Sequence, residues 1–201
     1  IAAVARHHGL SLHMDGARLF NAAVAQNIDA GEITRHVDSV TFCLSKGLCA
    51  PVGSVLCGSA EFIDKARRAR KVLGGGMRQA GVLAAAGIVA LNEMIERLAD
   101  DHAHARLLAH GLSQIPGVEV DVAMVRTNMV FFNLTNDVPL SSEDVACRMR
   151  ETAGVWVGTN GSRGFRAVTH YWIDANDVRT FLSSLEYVLA RADGAPGRSH
   201  G

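Results

Sequence analysis

The sequence lacks a long apolar run, an excess of charge of either sign and a paired CxxC motif. No uninterrupted apolar segment reaches the roughly 18 residues that a membrane-spanning helix needs. Lysine plus arginine equals aspartate plus glutamate at 20 each, so no global field favours nucleic acid or an anionic membrane. With 48% hydrophobic and 20% charged residues, the composition predicts a soluble globular protein with neither kind of partner.

The four cysteines are Cys43, Cys49, Cys57 and Cys147. Without a CxxC pair they do not predict a zinc site. Three of them lie in apolar segments and are typical of small buried side chains, which favours a reducing, cytoplasmic location over a secreted disulfide scaffold. His13 and Asp15 come closest to a metal pair, but ligand types around them are too sparse for a complete site. We therefore predict no metal.

The chain opens at Ile1 inside a pattern typical of the end of a helix, which Gly9 terminates. A start inside an element indicates that sequence is missing upstream. The opening does not resemble a signal peptide, because no basic segment precedes it and there is no sustained apolar stretch. We therefore expect the C-terminal part of a longer protein, or one piece of a split protein.

The first half alternates strands with helices, which predicts an α/β fold with a parallel sheet and crossover helices. Strands are predicted at 11–14, 39–44 and 53–57, and helices at 1–8, 17–26, 30–36 and 60–71. Glycines 74–76 interrupt this order. The alanine-, leucine- and methionine-rich stretch that follows predicts one long helix from 77 to about 112.

The turn at Pro116-Gly117 predicts a domain boundary, with a first domain at 1–115 and a smaller α+β domain at 116–193. In the second domain, strands are predicted at 118–122, 129–134, 155–157 and 165–170. A helix capped within 141–144 is predicted to run to 151, and a last helix spans 177–191. Residues 194–201 are predicted to be a flexible tail.

Two residues at predicted strand ends carry the chemistry of the first domain. Asp15 follows one predicted strand and Lys46 follows the next, and ligands of open α/β sheets bind beyond such ends. A lysine shielded from bulk water can attack an aldehyde, and a carboxylate opposite a pyridine nitrogen keeps that nitrogen protonated. This is what a pyridoxal-phosphate site requires. The residues alone leave open that Asp15 stands in a simple turn and Lys46 in a solvated loop.

Four segments together resemble the L-threonine aldolase family. They read HMDGARLFNA at 13–22, SKGLCAPVGS at 45–54, KVLGGGMRQAG at 71–81 and RAVTH at 166–170. The resemblance implies pyridoxal 5'-phosphate as cofactor and retro-aldol cleavage of L-threonine or L-allo-threonine to glycine and an aldehyde. It implies that 1–115 is part of a cofactor-binding large domain with a mostly parallel sheet. It also implies a cytoplasmic homodimer or homotetramer in amino-acid metabolism.

The resemblance assigns roles to four residues of the first two segments. Lys46 carries the cofactor on its amine, and Asp15 pairs with the pyridine nitrogen. Arg18 helps to hold the amino-acid substrate and contacts the cofactor. Ser45 contacts the phosphate. Lys46 and Asp15 are thus the expected catalytic residues.

The remaining two segments supply further expected contacts. Arg166 is expected to grip the substrate carboxylate, for which a guanidinium offers a planar fork. Lys71 is expected near the substrate and Arg78 near the cofactor, because the glycines between them free backbone N–H groups for an anion. This segment is expected near the active site or near that of a neighbouring subunit. His170 is expected to be structural or to support a residue that contacts the substrate, and not to be the catalytic base.

In one respect the sequence departs from the family pattern. The family's upstream half holds a phosphate-binding glycine-rich loop and a histidine stacked on the cofactor ring, and neither has a counterpart here. Either an upstream chain completes the site or the fragment is inactive by itself. Two alternatives therefore stay open: a different pyridoxal-phosphate reaction, such as β-elimination or transamination, and a truncated domain without activity.

Overall fold

The computed structural model describes residues 1–192, so the predicted tail at 194–201 lies outside the described residues. Contacts divide the chain into two compact units, Ile1–Ala99 and the part from Asp100 onward. Within the described residues, no helix combines the length and the apolar character needed to cross a bilayer.

The division between the units falls earlier in the chain than the domain boundary predicted after residue 115. The division falls within the helix Leu98–Leu112, so that Leu98 and Ala99 belong to the first unit and the rest of the helix to the second. Its residues Ala105, Leu108 and Leu112 are buried in the hydrophobic core of the second unit. This burial assigns most of the helix to the second unit.

The first unit combines a three-stranded sheet with helices. Its elements are α1 (Ala2–His7), β1 (His13–Asp15), α2 (Leu19–Gln26), α3 (Ala30–Thr34), β2 (Ser39–Cys43), β3 (Ser54–Gly58), α4 (Ala60–Val72) and α5 (Gly81–Glu93). The strand order is β1-β2-β3, with β1 parallel to β2 and β3 antiparallel to β2. β3 runs antiparallel because residues 44–53 are a short connection closed by a bond from Leu44 N to Gly53 O, whereas a parallel crossover needs about a dozen residues or more. The predicted α/β class is confirmed, and this sheet is mixed.

Alternation along β1 and β2 gives the sheet one buried and one polar face. Val40 and Phe42 of β2 are buried in one core with Leu19 of α2. Because successive strand side chains point to opposite faces, Asp15 and its register partner Thr41 share the other face. The apolar face fixes the register, and the polar face presents the candidate site.

The second unit packs helices on an antiparallel sheet. Its elements are α6 (Leu98–Leu112, beginning in the first unit), β4 (Val118–Glu119), a 3-10 helix (Val122–Met124), β5 (Met129–Leu134), α7 (Ser142–Ala153), β6 (Gly158–Asn160), β7 (Gly164–Val168) and α8 (Ala175–Leu189). The strand order is β4-β5-β7-β6, and each neighbouring pair is antiparallel. Phe132 and Phe165 are buried at its centre, with ring centroids 4.7 Å apart. This is the expected small α+β unit.

The single helix predicted from 77 to 112 is wrong. α5 begins only at Gly81, after Gln79 in a left-handed conformation with φ 51°, and it ends at Glu93. α6 then starts at Leu98. The break lets Met94 and Leu98 pack in the core of the first unit, so tertiary packing overrides helix propensity here.

Two strands of the second unit differ from their predictions. The strand predicted at 155–157 is absent from the described residues, and the chain pairs instead at β6. Val155 and Val157 are partly buried against the core, so their β-branched side chains serve packing in a loop. The strand predicted at 118–122 ends at Glu119, because Asp121 caps the 3-10 helix that follows.

Large apolar side chains remain exposed in both units. α5 is apolar on all sides and leaves Val82, Ile88 and Val89 exposed. The two tryptophans, Trp156 and Trp172, both belong to the second unit and are each 77% exposed.

Candidate active site

The parallel pair β1 and β2 brings the two central candidates to one edge of the sheet. Asp15 is the last residue of β1 and lies opposite Thr41 of β2. Lys46 follows the end of β2 by three residues, in the connection to β3. Parallel strands end at the same edge of a sheet, and ligands of open α/β sheets bind beyond that edge. Both side chains are exposed there.

A turn fixes the direction of the Asp15 carboxylate. Its Oδ1 accepts a hydrogen bond from Ala17 N at 3.2 Å. Gly16 is buried, and a Cβ at this position would lie 3.1 Å from both the Thr41 carbonyl oxygen and Val40 Cγ2. Only a residue without a side chain fits against β2 without displacing it.

The segment that holds Lys46 is closed by backbone hydrogen bonds. Cys49 N donates to Lys46 O at 2.9 Å, and Ala50 N donates to Leu44 O at 3.0 Å. Cys49 has a φ of 59°, which is uncommon for a residue with a side chain. Gly47 is buried, and a Cβ there would lie 2.7 Å from Leu98 Cδ2. The backbone is thus tightly held while the Lys46 amine makes no hydrogen bond or ion pair within the described residues.

Arg18 and Ser45 lie at the same edge of the sheet. Arg18 is the residue immediately before α2 and is partly buried. The Ser45 hydroxyl is exposed and lies 3.5 Å from Gly53 O. Asp15, Arg18, Ser45 and Lys46 therefore all belong to the first unit and lie at or just after the ends of β1 and β2; their expected roles remain predictions.

Lys71 and Arg78 flank the glycine segment between α4 and α5. Lys71 lies in the last turn of α4, and Gly75 N donates to Arg70 O at 2.8 Å. Both cations are exposed. Within residues 1–192 neither forms a hydrogen bond with Asp15 or Lys46, so their expected roles remain predictions.

Arg166 belongs to the second unit, where it is exposed in the middle of β7. Its register partners are Phe131 of β5 and Gly158 of β6. It lines a cleft of about 620 Å³ together with Trp156 and His170. Its guanidinium makes no ion pair within the described residues, so it is available for an external carboxylate.

His170 follows β7 in a turn of the second unit. Its Nδ1 accepts from Trp172 N at 3.3 Å, and its carbonyl oxygen accepts from Ile173 N at 2.8 Å. These bonds order the turn that leads to α8, consistent with the structural role expected from the sequence.

Sequence reasoning did not identify the partners of His13 or the buried Asn128. His13 Nδ1 lies 2.9 Å from Ser39 Oγ and its Nε2 lies 3.5 Å from Thr41 Oγ1. Asn128 is 2% exposed and bonds to Thr169. An Asn before an apolar strand is typical of a turn, so only the burial distinguishes it. Within residues 1–192 no group of three metal-ligating side chains comes together.

Comparisons of the sequence agree on one family. A family model described as beta-eliminating lyase matches residues 1–135. Low-specificity L-threonine aldolase 1 of Arabidopsis thaliana is 46% identical over 189 residues, which cover 94% of this chain and 52% of that protein. Low specificity L-threonine aldolase of Escherichia coli (strain K12) is 41% identical over 92% of this chain and 53% of that protein. The chain thus spans about half the length of these relatives.

Solved structures share the fold. Threonine aldolase of Leishmania major matches 94% of this chain and 54% of that chain, with a TM-score of 0.72 and 19% identity. Alanine–glyoxylate aminotransferase from Nostoc sp. matches 94% of this chain and 56% of that chain, with a TM-score of 0.65 and 18% identity. At these identities the likeness concerns the fold alone.

Proposed function

The chain belongs to the beta-eliminating lyase family, and we propose that the whole protein cleaves L-threonine and L-allo-threonine to glycine and acetaldehyde with pyridoxal 5'-phosphate. The parallel pairing of β1 and β2 carries this proposal, because it sets Asp15 and Lys46 at one edge of the sheet. The names of the relatives, low-specificity L-threonine aldolases, support the choice of substrate. Since the chain spans about half the length of those relatives, the activity is proposed for the whole protein.

The residues at the sheet edge fit pyridoxal phosphate. An amine that can bond to its aldehyde stands at Lys46, and a carboxylate that can face its pyridine nitrogen stands at Asp15. Gly16 and Gly47 are buried and keep the backbone free of side chains beside both groups. When bound, the cofactor supplies an electron-accepting ring that stabilises negative charge at the substrate Cα.

Lys46 and Asp15 act from fixed backbones. Lys46 would hold the cofactor through its amine, which stands on a backbone closed by the bonds from Cys49 N and Ala50 N. Asp15 holds a proton on the pyridine nitrogen, and its negative charge is preorganised by the bond from Ala17 N. Such preorganised charge is often the largest single contribution to lowering a barrier.

The arginines orient the substrate. We assign the substrate carboxylate to Arg166, whose guanidinium offers a planar fork, and a substrate contact to Arg18. A fixed carboxylate orients the substrate's Cα–Cβ bond so that the electrons of this bond can pass to the electron-accepting ring when the bond breaks. Ser45 and Arg78 bind the phosphate, and Lys71 lies on the substrate side.

Replacement of Lys46 tests this function in the whole protein. Lys46→Ala is expected to abolish both the cofactor's absorption band and the release of glycine and acetaldehyde from L-threonine. Lys65→Ala is the matched control, because Lys65 is an exposed lysine of α4 paired with Glu61 at 2.6 Å. Equal activity in the two variants would rule the proposal out.

β-Elimination is the second candidate, favoured by the description of the matching family. Product analysis separates the two reactions, because β-elimination yields a keto acid and ammonia where an aldolase yields glycine and an aldehyde. A truncated chain without activity is the third possibility, supported by the half-length match. It predicts that this chain takes up no cofactor alone and regains uptake when the upstream part is added.

We propose a homodimer or homotetramer in the cytoplasm. The exposed apolar side chains of α5, Val82, Ile88 and Val89, support association. The four cysteines form no disulfide, which supports a reducing compartment. The expectation that three of them are buried is wrong, because Cys49, Cys57 and Cys147 are exposed. Sedimentation of the whole protein measures its oligomeric state directly.

A further inference from the structure

Asn128 and Thr169 join the ends of two neighbouring strands in the second unit. Asn128 precedes β5 and Thr169 follows β7, and each is 2% exposed. The Asn128 amide donates to the Thr169 carbonyl oxygen at 2.8 Å, and Thr169 N donates to the Asn128 carbonyl oxygen at 3.0 Å. The two residues therefore extend the antiparallel ladder beyond its last regular pairing, Met129 with Val168.

Thr169 is also tied to a helix. Its hydroxyl donates to the carbonyl oxygen of Asp101, in the first turn of α6, at 2.7 Å. The end of β7 is thus held by Asn128 on one side and by α6 on the other. We call this set, the Asn128 side chain, Thr169 and the Asp101 carbonyl, the Asn128–Thr169 bracket.

The composition of the bracket runs against simple core packing. Asn128 Oδ1 is buried without a hydrogen-bond partner within residues 1–192, an arrangement that lowers stability. Buried polar groups in native proteins are nearly always paired. The Asn128 amide nevertheless donates an N–H group to the buried Thr169 carbonyl oxygen, and an apolar residue has no such donor. This points to a role in fixing backbone position.

Arg166 lies on β7, three residues before Thr169. β6 pairs with β7 only as far as Arg166, opposite Gly158. Beyond Arg166, the described part of β7 is held by β5 alone until Thr169 reaches the bracket. Without the bracket, the pairing with β5 would be the only sheet contact left to hold β7 beyond Arg166 within the described residues.

We propose that Asn128 and Thr169 are positioning residues that fix β7 so that the Arg166 guanidinium meets the substrate carboxylate. The inference rests on the proposed function, in which Arg166 binds that carboxylate. Neither residue touches substrate; each acts through the backbone that carries Arg166.

Thr169→Val in the cofactor-loaded whole protein tests the proposal. Valine keeps the shape and the backbone bonds of Thr169 but removes the hydroxyl that reaches Asp101. We expect KM for L-threonine and the dissociation constant of glycine to rise roughly tenfold with little change in kcat, since misplacing a binding group weakens binding. Thr169→Ser keeps the hydroxyl and should restore both values. Thr152→Val is the matched control, because the exposed Thr152 hydroxyl donates to Arg148 O at 2.7 Å in the same unit.

Asn128→Ser provides a second reading if Thr169→Val does not fold, as judged by circular dichroism. It should raise the same two constants. A fall in melting temperature with unchanged KM in either folded variant would overturn the inference and leave a purely structural role. Arg166→Gln separates this failure from a failure of the proposed function: unchanged glycine affinity there would mean that Arg166 does not bind the carboxylate at all.

Discussion

The backbone N–H of Gly16 donates a hydrogen bond of 2.8 Å to the carbonyl oxygen of Thr41. This bond sets the turn after Asp15 against the strand that leads to Lys46. The bond from Cys43 N to Ala17 O, at 3.3 Å, continues the contact. Main-chain hydrogen bonds therefore fix the turn after Asp15 relative to the end of β2, the strand that leads to Lys46.

Gly16→Ala is expected to destabilise the chain by about 1–2 kcal/mol, because the added methyl group would press on the Thr41 carbonyl and Val40. Urea denaturation followed by circular dichroism measures the change. Gly81→Ala is the control: Gly81 has no atom within 4 Å of an added Cβ, and alanine there should be neutral or stabilise α5 by up to roughly 1 kcal/mol. Equal effects of the two substitutions would contradict the tight fit at Gly16.

Asp15→Asn in the whole protein is expected to lower the rate of threonine cleavage by roughly a hundredfold or more, because a neutral amide cannot hold a proton on the pyridine nitrogen. The absorption band of the bound cofactor should also shift. Asp64→Asn is the control, since Asp64 is an exposed carboxylate paired with Arg67 at 3.0 Å on α4. Unchanged absorbance and rate in Asp15→Asn would remove Asp15 from the site.

Because of His102, we expect the free energy of unfolding to fall in acid. Burial lowers the pKa of His102 from its usual 6.5, and the Arg106 guanidinium lowers it further. The unfolded chain then binds a proton at this histidine more readily than the folded chain. The contribution to the free energy of unfolding is complete above pH 6.5 and is lost as the pH falls from there through the folded pKa.

Urea denaturation above and below pH 6.5 measures this dependence. His102→Gln should flatten the pH dependence over that interval. His110→Gln, which replaces an exposed histidine of the same helix, should leave it unchanged. A slope that survives in His102→Gln would assign the acid sensitivity to other groups.

Ser141→Ala is expected to destabilise the second unit by about 1 kcal/mol. Ser141 Oγ accepts from Asp144 N at 3.1 Å, and Asp144 Oδ2 accepts from Ser141 N at 3.3 Å, so the pair forms a capping box for α7. Ser183→Ala, an exposed position within α8, should have little effect. Thermal unfolding followed by circular dichroism compares the two.

The two strands that lead to the candidate site were easier to predict from sequence than the connections around them: β1 (His13–Asp15) and β2 (Ser39–Cys43) lie close to their predicted positions. Asp15 ends β1 and Lys46 follows β2 by three residues, and the β-branched and aromatic residues of β2 are typical of a strand. The break between α5 and α6 was not predictable, because each residue from 94 to 97 is compatible with a helix. The helix ends there only because Met94 and Leu98 pack in the core of the first unit. The loop at 155–157 was mistaken for a strand because valine suits either a strand or a packed loop. The pairing decides it: β7 pairs with Gly158–Asn160 through Gly164–Arg166.

The Asn128–Thr169 bracket shows a further limit of sequence reasoning. An asparagine and a threonine 41 positions apart carry no local signal that they meet. Their meaning appears only when burial and hydrogen bonds are known.

The position of the two tryptophans has a practical consequence for spectroscopy. Because Trp156 and Trp172 both lie in the second unit, tryptophan fluorescence does not report on the unfolding of the first unit, which holds Lys46. Both indoles are already largely exposed to water, so the wavelength of their emission maximum will shift little on unfolding. To follow the thermal unfolding of the first unit by fluorescence, a tryptophan has to be introduced there. Phe62 of α4, which is 39% exposed, is a suitable position for the substitution Phe62→Trp.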